Sequence, residues 1–536
     1  MASGTPQRGL VEQLAELLPK DVEVDLHHIS TPPTRCGAIF SPPPGGKPER
    51  TYRETQFLLV SINVTDSNGI LSKVFIFAIE IYIYTTNNLT TIFVSKADST
   101  GYITKLKLPK GTPSPLKSVS SVFISWLVEN RRRPGVKLVV SLFARAQDQY
   151  LFPGSIENPS KHVLDDRGLV KWWCRVLDSN LEAARESTVR SGDEVKDLIN
   201  KDDTPQGYLI VPGFDRYETV SFFPPSYKTQ PSDQKTWHSG HPLNQIAPEP
   251  NAPPRCLVPH FPDDPKSRFL DELDEELPEV SGSQVEISPS KRGSGQWRSV
   301  KTLDQFWEMM TFRQECSSGR LVGFIWILFD TVGELEGQNG LQYLIDDDIG
   351  SSQSSIPSAL PRRPSGSERR RPQRLTGIIN PRLPRIKSSS SGSRSESSAF
   401  FVWPSESRGE IVLDDKGYDR AHDLLLKLDF AGVEVANLST LKWVEEVGAI
   451  AGRSGIWAKN VTGKLISAPV LDPSTHGNTS SAHSASGTGT VNVLNTTMIK
   501  KKRKPTEMEN SSTDSTGQVE PNALPMSSIR KKPKPG

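Results

Sequence analysis

Eight residues near the middle of the chain bring two adjacent carboxylates, a lysine and an arginine into one short stretch: Pro262-Asp263-Asp264-Pro265-Lys266-Ser267-Arg268-Phe269. A carboxylate here can accept a proton from an amine or hold a cation by its charge. Two neighbouring carboxylates raise one another's pKa by repulsion, and Lys266 and Arg268 oppose that. The same residues also read as a helix start. Asp264 fits the N-cap and Pro265 the first helical position, and Leu270 and Leu273 then carry an apolar stripe. On sequence alone, capping and chemistry compete for Asp264.

A second stretch, Phe93-Val94-Ser95-Lys96-Ala97-Asp98-Ser99-Thr100-Gly101-Tyr102, reads as the end of a strand followed by a polar turn. Asp98 either orients that turn or faces a substrate. Phe93 is either strand core or a pocket wall. Lys105, Lys107 and Lys110 follow at once and place positive charge downstream. Two adjacent aromatics, Trp172 and Trp173, sit on adjacent faces of a helical pattern. One is expected to pack while the other lines a channel.

The elements that position these residues come from periodicity. Leu10, Leu14, Leu17 and Leu18 predict a short opening helix that stops at Pro19. Strand-like runs cover Gln56 to Val64, Lys73 to Thr85 and Thr91 to Ser95, with a turn at Asp66-Ser67-Asn68-Gly69 between the first two. Val119, Val122, Phe123, Trp126 and Leu127 mark an amphipathic helix that ends at Arg131-Arg132-Arg133-Pro134-Gly135. Val136 to Phe143 is a further strand. Asp165 or Asp166 caps a helix carrying Leu169, Trp172, Trp173, Val176 and Leu177. Thr204 to Pro262 shows little periodicity and many Pro, Gly and aromatic residues, which predicts either an irregular binding surface or disorder, with the aromatics arguing for partial order. A helix at Leu303 to Met310, a buried strand within Arg320 to Phe329, and helices around Tyr418 to Leu428 and Leu441 to Val447 follow. Strands interleaved with helices predict an α/β or α+β fold with a central sheet. No internal repeat is present.

Bulk composition limits the function classes. A chain of 536 residues is too long for one core, so two or three segments are expected. The 64 basic and 62 acidic residues nearly cancel, so global charge announces no nucleic-acid binder. Mean hydropathy is −0.44 and the most apolar run, Val74 to Tyr84, is half the length of a membrane span, so a soluble chain without a transmembrane segment or signal peptide is expected. Cys36, Cys174, Cys256 and Cys316 are far apart and form no Cys-x-x-Cys pair, which argues against a zinc site or a disulfide framework. Gly350 to Ser398 is Ser-, Pro- and Arg-rich and predicts disorder. The tail carries two basic clusters, Lys500 to Lys504 and Arg530 to Lys534.

Five segments in order resemble one family: Phe93 to Tyr102, Phe143 to Phe152, Ser160-Lys161-His162 with Lys171-Trp172-Trp173, Ile210-Val211-Pro212-Gly213, and Phe261 to Phe269. The family is the fungal chaperone-dependent histone H3 lysine acetyltransferases, distant structural relatives of the metazoan CBP-type acetyltransferases. The likeness covers most of Gln56 to Phe329 and, more weakly, Ile411 to Lys464.

The resemblance implies a mixed α+β core around a central mixed sheet. It implies acetyl-CoA as co-substrate, no metal, and transfer of acetyl to histone H3 lysines, both the core-domain lysine fifty-six type and those of the N-terminal tail. Asp264 is the implied proton acceptor with Asp263 beside it, and the rival part for Asp264 is cap or loop support. Asp98 and Trp173 join them near the reacting centre. For the co-substrate the resemblance offers Phe93, Ala97, Asp98, Ser99, Phe143, Arg145, Gln147, Lys161, His162 and Trp172, with Lys105 and Lys107 near the phosphates. Lys266 matches a lysine that the family acetylates on itself, and Arg268 lies in the substrate loop. Cys174 has no matched His and is not expected to act as a nucleophile.

The implied organisation is a catalytic core at 1–335, a disordered insertion at 336–399, helices completing the core at 400–468, and a disordered tail with nuclear import signals at 469–536. The implied partners are histone H3–H4 and a histone chaperone of Asf type or NAP type. Neither a membrane nor sequence-specific nucleic acid is expected. Only Asn130 to Gly135 stands where the best-known relative has a long chaperone-docking insertion, so docking by that route is not carried over. Two rivals compete with the enzyme. A catalytically inactive adaptor would bind histones or chaperones through the same surface, although retention of Asp98, Arg145, Trp173, Asp263 and Asp264 argues against it. A DNA-binding regulator using the basic tail would lack a reading head.

Overall fold

Long runs of Ile, Val, Phe and Tyr pair here into a single mixed sheet. The computed structural model describes residues 8–65, 69, 71–190, 204–277, 296–314, 316, 319–331, 396–453, 455 and 457–466. Among these the strands are β1 (Glu23–Ser30), β2 (Thr34–Cys36), β3 (Thr51–Thr65), β4 (Leu71–Thr85), β5 (Leu89–Ser99), β6 (Lys137–Ala144), β7 (Gln206–Ile210), β8 (Trp237–Ser239), β9 (Gly323–Phe329), β10 (Ile411–Val412) and β11 (Lys459–Thr462). Their order is β10-β1-β3-β4-β5-β6-β9-β7-β8, with β11 also on β1 and β2 on β3. β3, β4 and β5 form an antiparallel meander, and β5 then pairs parallel with β6.

A central strand covered on both faces is apolar at nearly every position rather than at alternate ones. β4 shows this: from Val74 to Ile81 every residue is buried. β6 and β9 sort their side chains by the two-residue strand period. Leu138, Val140, Leu142, Ile325 and Ile327 join one apolar cluster, and Val139, Phe324, Trp326 and Leu328 join the other.

Helices cover the two faces. α1 (Leu10–Leu17), α2 (Pro115–Arg131) and α3 (Asp166–Arg190) come first. Four short helices follow: α4 (Arg216–Val220), α5 (Ser226–Thr229), α6 (Leu243–Ile246) and α7 (Pro254–Leu257). α8 (Pro265–Glu275) and α9 (Leu303–Met310) pack Phe269 and Phe306 at 5.3 Å within the second cluster. α10 (Asp415–Leu425) and α11 (Val433–Ile450) complete the set. α11 docks on β4, where Thr440 Oγ1 accepts the Phe75 amide at 3.1 Å and Asn437 Oδ1 the Lys73 amide at 2.9 Å. No described helix is long and apolar enough to cross a membrane.

The irregular surface expected from Thr204 to Pro262 is more ordered than its composition predicts. It contains β7, β8 and the four short helices, and β7 alternates half-buried and buried residues against β9. β1 was likewise not expected. Its two histidines break the apolar run, yet both are buried, His27 bonding Ser61 Oγ at 3.1 Å and His28 bonding Gln56 Oε1 at 2.6 Å. The return from α2 to β6 is short, as Asn130 to Gly135 implies, and Gly135 takes φ +69° there.

The chain divides into Met1–Val470 and Leu471–Gly536. The second unit, with both basic clusters, lies outside the described residues, as do residues 336–395 of the expected insertion and Asp66 to Asn68 of the expected turn.

Candidate active site

The site begins with an irregularity in β5. Glu80 pairs with Lys96, but its neighbour Ile81 pairs with Val94, so Ser95 is an extra residue in the ladder. Such a bulge redirects the side chains around it. A regular strand sends successive residues to opposite faces. Here Val94, Ser95, Lys96 and Ala97 all line one small cavity of about 40 Å³. Phe143, Arg145, Tyr150 and Trp173 close it.

That cavity adjoins a larger one of about 290 Å³ between the end of β5 and α3, sharing Ala97, Tyr150, Leu169 and Trp173 with it. The larger cavity is lined by Ala97, Asp98, Ser99, Gln147, Lys161, His162, Trp172 and Trp173 from the sequence expectation, together with Phe77, Leu116 and Tyr150. An open trough of about 700 Å³ continues past Arg145, Ala146 and Gln147 to Arg320. The three together form one cleft from solvent to the bulge.

Asp98 organises the walls of this cleft. Its Oδ2 accepts the amides of Tyr150, Leu151 and Phe152 at 2.7, 2.9 and 3.2 Å. Its Oδ1 accepts the Ser99 amide at 2.8 Å and the Lys161 ammonium at 3.0 Å. A carboxylate with five donors and 8% exposure ties the strand to the following loops, the turn-orienting part of the two that the sequence left open for Asp98. Lys161 is likewise committed, donating also to Ser155 Oγ at 2.8 Å. The close approach of the two segments needs Gly101. At φ +87° a Cβ there would stand 2.6 Å from the Lys161 backbone nitrogen.

α3 supplies both tryptophans. The expectation that one packs and the other lines is corrected, since both line the larger cavity, edge to face at 4.9 Å. Trp173 is 5% exposed and also walls the small cavity, so it stands where the two meet. Phe93 is displaced from the expected wall: it is buried and stacks on Phe261 at 4.2 Å. Lys105 and Lys107 are exposed and stand outside the lining of these cavities.

The Asp263-Asp264 turn meets the small cavity through Lys96. Asp263 takes φ +57°, and its Oδ2 accepts the Lys96 ammonium at 2.8 Å. Lys96 also lies 3.5 Å from Glu80. Burial would lower the Lys96 pKa, but Glu80 and Asp263 outweigh it and raise it, so Lys96 stays cationic. Asp264 caps α8: Oδ1 accepts the Lys266 amide at 2.9 Å while Oδ2 pairs with the Lys266 ammonium. Both residues are almost fully buried, and the ammonium lies 4.5 Å from the centre of the Phe324 ring. Arg268 projects outward, 69% exposed.

Sequence reasoning passed over four site residues. Tyr150 sat unremarked inside the matched segment Phe143 to Phe152, yet its hydroxyl donates to the Arg145 carbonyl at 2.6 Å, and burial pushes its pKa up to about 12. Lys96 and Ser95 sat inside a matched segment without being singled out. Glu80 lies in an apolar strand and is disclosed only by pairing. Ser95 Oγ and Arg145 Nε are buried without partners, and both residues line the small cavity. Among the described residues no cluster of His, Cys, Asp and Glu could hold a metal ion. Burial raises the Cys174 thiol pKa.

The chain matches the histone acetyltransferase KAT11-type domain over residues 10–137 and 133–446. It belongs to the KAT11-type histone acetyltransferase family. Its sequence is 41% identical to histone acetyltransferase rtt109 of Aspergillus flavus over 92% of this chain and 89% of that one. It is 30% identical to rtt109 of Schizosaccharomyces pombe over 63% of this chain and 74% of the relative. The crystal structure of Rtt109 from Aspergillus fumigatus superposes with a TM-score of 0.65 at 43% identity, covering 85% of this chain and 99% of that one. As a KAT11-type enzyme the protein is a lysine acetyltransferase, and acetyl-CoA is the co-substrate its chemistry uses.

Proposed function

We propose that this enzyme acetylates histone H3 in the nucleus, on the core-domain lysine fifty-six and on lysines of the N-terminal tail, with H3–H4 presented by a chaperone of Asf or NAP type. The observation that carries the reading is the continuity of an apolar, tryptophan-walled cavity with a charged turn built from Lys96, Asp263 and Asp264. The basic clusters Lys500 to Lys504 and Arg530 to Lys534 fit a nuclear address.

In this reading acetyl-CoA enters by the trough. Arg145 supplies charge there, Ala97 to Ser99 flank the pantetheine arm, and Gln147, Lys161, His162, Trp172 and Trp173 wall the channel. A free lysine has a pKa of about 10.4, so fewer than about one in a thousand is neutral at pH 7. Asp264, with Asp263 beside it, receives the ammonium at the far end and takes its proton. The amine nitrogen then bonds to the thioester carbon, the carbon–sulfur bond breaks, and the CoA thiolate leaves and takes the second proton that the nitrogen sheds as the amide forms. The unpartnered Ser95 hydroxyl and Arg145 Nε–H are the donors available to the developing oxyanion. Acetylation of Lys266 removes the charge that now occupies Asp264 Oδ2, which frees that oxygen for the substrate.

The test is acetyl transfer by the purified protein to H3–H4 with chaperone, followed by mass spectrometry of the modified lysines. Transfer to H3 supports the proposal. Absence of both transfer and acetyl-CoA binding would leave the inactive adaptor.

A further inference from the structure

Glu80 is buried at 0% exposure in the middle of β4, and four polar groups from three elements converge on it. From β5 comes the Lys96 ammonium, 3.5 Å from Oε2. From β4 itself comes the Tyr82 hydroxyl. From α10 come the Tyr418 hydroxyl, bonded to Oε1, and His422 Nε2, 3.7 Å from the same oxygen. Burial first, and the Glu80 charge second, push both phenols up, so they remain hydrogen-bond donors.

A carboxylate buried so deeply is costly unless paired and hydrogen-bonded. Replacing such a site by packed hydrophobics is often neutral or stabilising, so burial alone does not explain it. Its lysine neighbour, Lys96, points the other way as well. The Ser95 bulge sets Lys96 opposite Glu80 and turns it into the wall of the small cavity, where its ammonium reaches Asp263 Oδ2 at 2.8 Å. Asp263 needs holding: it is one of three non-glycine residues with positive φ among the described residues, and its side chain is 65% exposed, so packing does not fix it. Asp264 follows it directly at the start of α8.

We propose that Glu80 is a positioning residue for acetyl transfer: through Lys96 it holds Asp263 and so sets the turn that presents Asp264, and α10 braces that link from behind. The inference rests on the reading of Asp263-Asp264 as the amine-receiving end. It extends that reading to a residue that touches neither substrate and to α10, which lines none of the three cavities described.

Full-length protein with H3–H4, chaperone and acetyl-CoA provides the test. Glu80→Gln keeps an acceptor for Tyr418 and removes the charge that fixes Lys96. We expect kcat to fall at least tenfold while the KM and Kd for acetyl-CoA stay within twofold. Lys96→Met should give the same split, and the double variant should be no worse than Lys96→Met, because both break one link. Tyr418→Phe, which removes one hydroxyl, should lower kcat in the same direction by two- to fivefold. These smaller changes keep the test informative where Glu80→Gln does not fold. An unchanged kcat in Glu80→Gln, multiplicative losses in the double variant, or loss of acetyl-CoA binding in proportion to activity each overturns the proposal. Asp264→Asn, assayed alongside, separates the two levels. If it loses turnover and Glu80→Gln does not, only the Glu80 inference fails. If Asp264→Asn is fully active, the underlying reading fails and takes the inference with it.

Discussion

Both ends of Lys266 bind one carboxylate: its backbone amide meets Asp264 Oδ1 at 2.9 Å, and its ammonium pairs with Oδ2. Helix capping and charge pairing are thus one arrangement on Asp264, and the cap part that the sequence offered is formed. Removing one member of a buried pair strands the other, at about 3–5 kcal/mol. Asp264→Asn keeps a cap acceptor but strands Lys266, and Lys266→Met strands Asp264. Denaturant unfolding should show both singles destabilised and the double Asp264→Asn/Lys266→Met recovering most of the loss. Turnover should separate from stability: the double variant stays at least about 100-fold slow, since a general base contributes on that order.

Asp98 gathers five donors into one carboxylate. Asp98→Ala leaves three loop amides and the Lys161 ammonium without that acceptor, so about 2–3 kcal/mol of stability should be lost. Because those loops wall the larger cavity, acetyl-CoA affinity by calorimetry should fall more than tenfold. Gly101→Ala should act on the same junction by strain, with a loss of about 1–3 kcal/mol at its positive φ.

Ser95→Ala removes a buried hydroxyl that has no protein partner. Loss of an oxyanion donor lowers kcat by roughly 10²-fold in known cases, and a hydroxyl sharing the task with Arg145 should give about tenfold. Thermal stability should stay equal or rise slightly, because no protein hydrogen bond is broken. A fall in melting temperature that accounts for the lost turnover would remove Ser95 from the reaction.

Acid should unfold the sheet through β1. Burial holds His27 and His28 down to a pKa of about 4, against an ordinary value of 6.5. The unfolded chain therefore binds more protons than the native one between pH 6.5 and about 4. Their contribution is fully present above pH 6.5 and is lost as pH falls toward 4. The shift corresponds to about 3 kcal/mol for each histidine. Urea titrations across this range should show the decline, and His27→Gln should flatten it.

The sequence showed the site's walls better than its linkages. Ala97 to Ser99, Lys161, His162 and the tryptophans come together in one cleft, because the end of β5, the loop before α3 and the second turn of α3 meet there. Lys105 and Lys107 do not, since a turn at Tyr102–Leu106 carries them into solvent. β5 reads as ending at Ser95 because the bulge breaks the alternation there, although pairing continues to Ser99. β1 hides behind two histidines that burial, helped by nearby Lys73, Lys459 and Arg131, keeps neutral. Glu80 is invisible for the same kind of reason: apart from Tyr82, its partners come from distant parts of the chain, at residues 96, 418 and 422.

β1 occupies an unusual place in the sheet. On one side lies β3; on the other, β10 runs parallel at Ile29 and Ser30, and β11 antiparallel from Glu23 to Leu26. During synthesis, residues 23–30 must therefore wait for residues 411–462 before that edge is closed. At ordinary elongation rates the delay is some tens of seconds. Throughout it the nascent chain exposes an unpaired strand edge, so β1 is where a chaperone would shield it and where a premature stop would leave an aggregation-prone fragment.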